Sequence, residues 1–161
     1  MRRIVLSTES VADLPKSFVE QYAIQIIPMH VIMDGRNYLE NTLTVEEVFD
    51  FYSRTKKIPS TTATNVQEYE QYFTEIRRAF PESVIIHLGY TSRASASFHC
   101  AQLAAKDFEG LYLIDTLNVT GGLAAIVMYA ATLLEKEPWI NHLEKKKKIK
   151  SIALKTRLAF I

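Results

Sequence analysis

The chain carries a single cysteine, Cys100, so no disulfide can close within it. A reducing, cytoplasmic compartment is therefore expected. It also lacks any excess of charge: 19 Lys and Arg face 18 Asp and Glu, for a net +1. That balance gives no ground for nucleic acid or an acidic membrane surface as the main partner. Long hydrophobic runs are missing too. The apolar run between Arg3 and Ser7 is too short for the core of a signal peptide, and the apolar helix expected after Gly122 is too short to span a bilayer. There is no internal repeat and no low-complexity tract. Nucleotide-binding glycine signatures and a G-x-S-x-G elbow are absent, and His30, His87, His99 and His142 are dispersed with no metal-ligand spacing. Neither a cofactor nor a metal is expected.

What remains is an ordinary globular composition, 48% apolar and 23% charged, in a length that suits about one domain. Arg3–Ser7, 83–88 and Leu111–Ile114 are short, continuously apolar strands. Such strands are covered on both faces, which predicts an α/β fold: a mostly parallel sheet with helices on both sides. Helices are predicted over Lys16–Tyr22 behind Pro15, from Thr44 to about Thr55, over Val66–Ala79 behind Asn65, from about Ala94 to Lys106, and from Leu123 to about Leu134. Thr44 with Glu47 forms a capping-box pattern, and Val48, Phe49 and Tyr52 form the expected apolar face of that helix. Ile24 to Met33 reads as a strand broken or placed at an edge by Pro28, ending at the turn pair Asp34-Gly35. Lys145 to Lys148 reads as the solvated face of a further helix, and Thr156 to Ile161 as the opening of a strand.

Two hydroxyl-rich stretches carry the functional signal. Ser60-Thr61-Thr62 and Thr91-Ser92-Arg93-Ala94-Ser95-Ala96-Ser97 each stand before a predicted helix. A strand that ends in such a turn can aim backbone N–H groups and Ser/Thr oxygens at one small anion, on the rim where open α/β sheets bind ligands. No strong acid, base or thiolate accompanies them, so the expected task is holding a ligand and not transforming it. Each hydroxyl also has a plain structural reading: Thr61 and Ser95 as helix caps, Ser10 and Asp13 as loop-shaping residues, Gly121 and Gly122 as a close approach of helix to sheet.

Several stretches, taken in order, resemble the DegV family of bacterial fatty-acid-binding proteins. They are Thr8-Glu9-Ser10-Val11-Ala12-Asp13-Leu14-Pro15, Ile27-Pro28-Met29-His30-Val31 with Asp34-Gly35-Arg36-Asn37-Tyr38, Pro59-Ser60-Thr61-Thr62-Ala63-Thr64, Thr91 to Phe98, and Asp115-Thr116 with Thr120-Gly121-Gly122. The resemblance implies a non-catalytic protein that binds a long-chain fatty acid of palmitate or oleate type. It implies that Thr61 and Ser95 hold the carboxylate, with Ser10, Thr62, Ser92 and Ser97 as secondary candidates. It further implies a fatty-acid kinase as the partner that does the phosphoryl transfer. Departures from the family pattern are Glu9 for Asp, Ala63 and Thr64 for Gln and Pro, and Ala96 for a Gly whose loss would distort the turn if φ > 0 were needed there. The family has two domains, so 1–161 is expected to be the first of them, cut before the second. The remaining readings are a small-molecule hydrolase or transferase using a loop serine, and an interaction domain without a ligand.

Overall fold

Ile4-Val5-Leu6 and Val84-Ile85-Ile86 are branched, apolar and brief, and they lie side by side as the centre of a sheet. The computed structural model describes residues 2–156. In chain order the elements are β1 (Ile4–Glu9), α1 (Lys16–Tyr22), β2 (Gln25–Ile27), β3 (His30–Met33), β4 (Arg36–Leu39), α2 (Val45–Thr55), β5 (Ser60–Thr62), α3 (Val66–Ala79), β6 (Val84–Gly89), α4 (Ser97–Ala104), β7 (Leu111–Asp115), α5 (Thr120–Lys136) and α6 (His142–Lys155). Short 3-10 turns at Ser10–Ala12 and Glu40–Thr42 follow β1 and β4.

The main sheet has the order β2-β1-β6-β7 with every pairing parallel. Its side chains alternate between two layers, as a period of two requires. Leu6, Val84, Ile86, Leu88 and Ile114 pack with Leu123, Ile126 and Val127 of α5 and Ile149 of α6. Val5, Ile27 and Ile85 pack on the opposite face with Tyr69, Phe73 and Ile76 of α3 and Ala101 of α4. Tyr69 and Phe73 are wholly buried, and full burial of such a ring contributes about 1.5–3 kcal/mol. The expected α/β architecture, helices on both faces of a parallel sheet, is what the chain forms.

A second sheet was not expected. It is antiparallel, of order β4-β3-β5. Pro28 separates β2 from β3, so the run from Ile24 to Met33 is shared between the two sheets. Asp34 and Gly35, with φ of 53° and 76°, make the tight reversal from β3 to β4. Ser60-Thr61-Thr62 is therefore not a turn before a helix. It is an edge strand, with Thr61 opposite Val31 and Thr62 opposite His30. Three polar residues form a strand here because β3 supplies the ladder, a contact that local propensity does not show.

Other expectations shift as well. The helix expected from Ala94 begins at Ser97, and the one expected from Leu123 begins at Thr120. On α2, Phe51 is buried while Phe49 is 66% exposed and Tyr52 also faces solvent, so only part of the expected apolar face packs inward. Lys145 turns into the protein, unlike a fully solvated lysine face. Thr156 closes α6, and the strand expected beyond it lies outside the described residues.

Both predicted caps form. Thr44 and Glu47 bond reciprocally, as do Asn65 and Glu68: Glu68 N–H donates to Asn65 Oδ1 at 3.0 Å and Asn65 N–H to Glu68 Oε2 at 2.8 Å. Asn65→Ala is expected to lower stability by about 1 kcal/mol in urea unfolding, with an unchanged denaturant slope.

Candidate ligand-binding site

The C-terminal ends of β1, β6 and β7 share one rim of the main sheet, and the antiparallel sheet lies beside it. Between them is a cavity of about 390 Å³ lined by Thr61 and Thr62 from β5 and by Ser95 from the loop between β6 and α4. Val11, Met29 and Val31 supply apolar wall. Thr61 and Ser95, far apart in sequence, thus meet at one space. The other four candidates divide. Thr62 joins them on the wall. Ser10, Ser92 and Ser97 are not among the residues that line it.

Ser10 Oγ accepts the Met29 N–H at 2.9 Å and donates to the Glu40 carboxylate. Ser97 is buried and its Oγ accepts the Thr64 N–H at 3.2 Å, so it pins the segment after β5 to the start of α4. Ser92 offers its N–H to Asp115 Oδ1 at 3.3 Å. Ser95 Oγ donates to Ser97 Oγ at 3.0 Å and accepts the Ser97 N–H at 3.1 Å; rotation of its hydroxyl away from Ser97 frees that proton for a ligand oxygen.

The backbone corrects the expectation of an N–H cradle. The N–H groups of Ala94 and Ser95 bond to Thr91 O, and that of Arg93 to Thr91 Oγ1. Those donors are spent inside the loop and are not left for a ligand. Ala96 sits at φ −75°, ψ −11°, so its Cβ is accommodated without the strain that loss of a glycine would have caused. Gly122 is held by packing: a Cβ there would lie 2.5 Å from Asn118 Oδ1.

Sequence reading missed three wall residues: Glu40, His30 and Tyr90. Glu40 reaches the cavity only through the hairpin of β3 and β4, which no local spacing announces. His30 is tied on both ring nitrogens, Nε2 2.9 Å from Glu68 Oε1 and Nδ1 3.0 Å from Asn37 Oδ1.

Behind the cavity lies a buried polar chain. Glu9 accepts the Tyr69 hydroxyl at 2.5 Å and the Tyr90 N–H, so it fixes the first residue of the loop that bears Ser95. Beside it, His87 Nδ1 is 2.8 Å from Ser7 Oγ, which is 2.9 Å from the Tyr72 hydroxyl. His87 Nε2 has no hydrogen-bond partner among the described residues and stands 4.0 Å from Glu9 Oε1. Burial pushes the Glu9 carboxyl pKa up, against the lowering effect of the Tyr69 and Tyr90 hydrogen bonds. Burial also raises the Tyr69 and Tyr72 hydroxyls and drives His87 down to about 3. Ser7, Glu9 and His87 are closed to solvent, so this serine, histidine and carboxylate do not meet an outside substrate.

Among the described residues no group of His, Cys, Asp and Glu is placed to hold a metal ion, and no helix is long and apolar enough to cross a membrane. The site can donate and accept hydrogen bonds at a small polar headgroup, with apolar contact alongside.

A family model described as uncharacterised protein, DegV family, matches residues 3–161. A fatty acid-binding protein of Thermotoga maritima is 26% identical over 148 residues, 89% of this chain and 51% of that protein. A solved structure of a Thermotoga maritima protein, described as revealing fatty acid binding function, superposes with a TM-score of 0.80 at 26% identity over 94% of this chain and 55% of that one. A stearic acid-binding protein of Eubacterium ventriosum shares the fold, with a TM-score of 0.75 at 23% identity over 92% of this chain and 52% of that one. The chain spans about half the length of the curated relatives it matches.

Proposed function

Since the chain belongs to the DegV family, we propose that it is a lipid-binding protein that holds the carboxyl group of a long-chain fatty acid. Thr61 and Ser95 are its hydrogen-bonding contacts, Thr62 supports them, and Val11, Met29 and Val31 take the first carbons of the tail. The observation that carries this reading is the meeting of Thr61 and Ser95 on one cavity from two elements distant in sequence. Relatives named for fatty acid binding support the ligand class. The protein itself is a carrier without catalytic work in this reading. It presents the carboxyl group to a fatty-acid kinase, and the kinase performs the phosphoryl transfer.

Mass spectrometry of lipid extracted from the purified protein tests the proposal. Acyl chains are expected at about one per protein molecule. Their absence, together with no binding of added palmitate or oleate, would contradict it. Thr61→Val and Ser95→Ala are each expected to weaken palmitate binding about tenfold, the loss of one hydrogen bond to a charged or strongly polar group. Fluorescent displacement titration measures it.

A further inference from the structure

Ser95 hangs on a carboxylate buried behind the cavity. Glu9 ends β1 and is closed to solvent. One of its oxygens accepts the Tyr69 hydroxyl of α3 at 2.5 Å, and the other accepts the Tyr90 N–H, the first backbone donor past β6. Bonds to a carboxylate are among the stronger hydrogen bonds in a protein, and a side chain held at both oxygens has little freedom to shift. From Tyr90 the path to Ser95 is short. Thr91 is buried, its N–H donates to Asn118 O at 3.3 Å, and its carbonyl accepts the N–H of Ala94 at 3.2 Å and of Ser95 at 3.3 Å. The backbone of Ser95 is thus tied to the residue next to the one that Glu9 holds. Reach matters here as much as charge. The DegV pattern has aspartate at this position, and this chain has glutamate, longer by one C–C bond of about 1.5 Å. An aspartate on the same backbone would draw its oxygens back by about that distance, out of hydrogen-bond range of at least one of the two donors.

We propose that Glu9, braced by Tyr69, is a positioning residue for the headgroup site: the length of its side chain sets where the loop from Tyr90 to Ala96 holds the Ser95 hydroxyl. The inference rests on the fatty-acid reading above and deepens it. Glu9 contributes to ligand binding through Ser95, while Thr61 is placed independently by its pairing with Val31 in the other sheet.

Palmitate displacement titrations of the full chain, arranged as double-mutant cycles, test it. Glu9→Asp is expected to weaken binding about tenfold, as Ser95→Ala does, because either change costs the same hydrogen bond to the ligand. In the Ser95→Ala background Glu9→Asp should add less than about twofold, while with Thr61→Val the two losses should multiply to about a hundredfold. Glu9→Gln restores the length: its carbonyl oxygen accepts the Tyr90 N–H and its amide donates to the Tyr69 oxygen. It should recover most of the affinity that Glu9→Asp loses. A role confined to overall stability would multiply equally in both backgrounds, and that result would overturn the inference. Wild-type affinity in Glu9→Asp would overturn it as well, and so would Glu9→Gln binding as weakly as Glu9→Asp. Where Glu9→Asp does not fold, Tyr69→Phe takes its place, since it frees one oxygen of Glu9. Its loss of affinity should likewise vanish with Ser95→Ala, and a loss that persists there would overturn the inference. If the wild-type protein binds palmitate and the Ser95 cycle is additive, this inference alone falls; if it binds none, the lipid reading falls and this inference with it.

Discussion

Acidification from pH 7 towards about 3 is expected to unfold this protein through one histidine. His87 is fully buried, its ring makes one hydrogen bond among the described residues, to Ser7, and burial drives its folded-state pKa down to about 3, against an ordinary value near 6.5 in the unfolded chain. Between those values the unfolded state binds a proton that the folded state refuses. Stability is therefore complete above the unfolded value and is lost progressively as pH falls through the window. Each unit of difference corresponds to about 1.4 kcal/mol, so the loss amounts to several kcal/mol, a large share of the stability of a typical domain. Glu9 works in the other sense. Its carboxyl is raised, so its contribution is whole at low pH and declines as pH rises through the folded value. Glu9 thus opposes the histidine where their ranges overlap, and removing the imidazole isolates the histidine's part. Urea midpoints at about pH 7 and about pH 4.5 measure it. The wild-type midpoint should drop sharply and that of His87→Gln only slightly; parallel drops would contradict the assignment.

Gly89→Ala is expected to cost about 1–3 kcal/mol and to weaken ligand binding with it. Gly89 ends β6, and a Cβ there would stand 2.4 Å from Phe98 Cδ2 and 2.9 Å from Phe98 Cε2. The Phe98 ring is packed in the first turn of α4 and is no free end that can swing away. Relief must move α4 or β6, and either displaces the loop from Thr91 to Ala96 that carries Ser95. Thermal unfolding and palmitate titration should change together. A lower melting temperature with unchanged affinity would show that Phe98 adjusts without moving Ser95.

The parallel sheet was legible because β1, β6 and β7 are short apolar runs that only double-sided cover explains, and because Asn65 and Thr44 are side chains whose capping chemistry is local. β4 and β5 were not legible. Arg36-Asn37-Tyr38-Leu39 and Ser60-Thr61-Thr62 are mostly polar and exposed, and they are strands only because His30–Met33 lies between them. The same gap hid Glu40, which the hairpin brings to Ser10. Thr61 and Ser95 came from the family resemblance and from their place in hydroxyl-rich stretches, but the reason given for Thr61 was wrong in detail: it projects from an edge strand and not from a helix entrance. Ser7, Glu9 and His87 sit at alternating positions of buried strands, where the apolar neighbours mask a polar face; the spacing of two between Ser7 and Glu9 is the one trace of it.

NMR of the protein with palmitate labelled with carbon-13 at the carboxyl tests the central claim most directly. The account predicts a single bound carboxyl resonance, with nuclear Overhauser contacts from the neighbouring tail protons to the Thr61 methyl and the Ser95 β-protons, lost in the Thr61→Val, Ser95→Ala double variant. A bound acid whose headgroup contacts neither residue, or a resonance unchanged in the double variant, would contradict it.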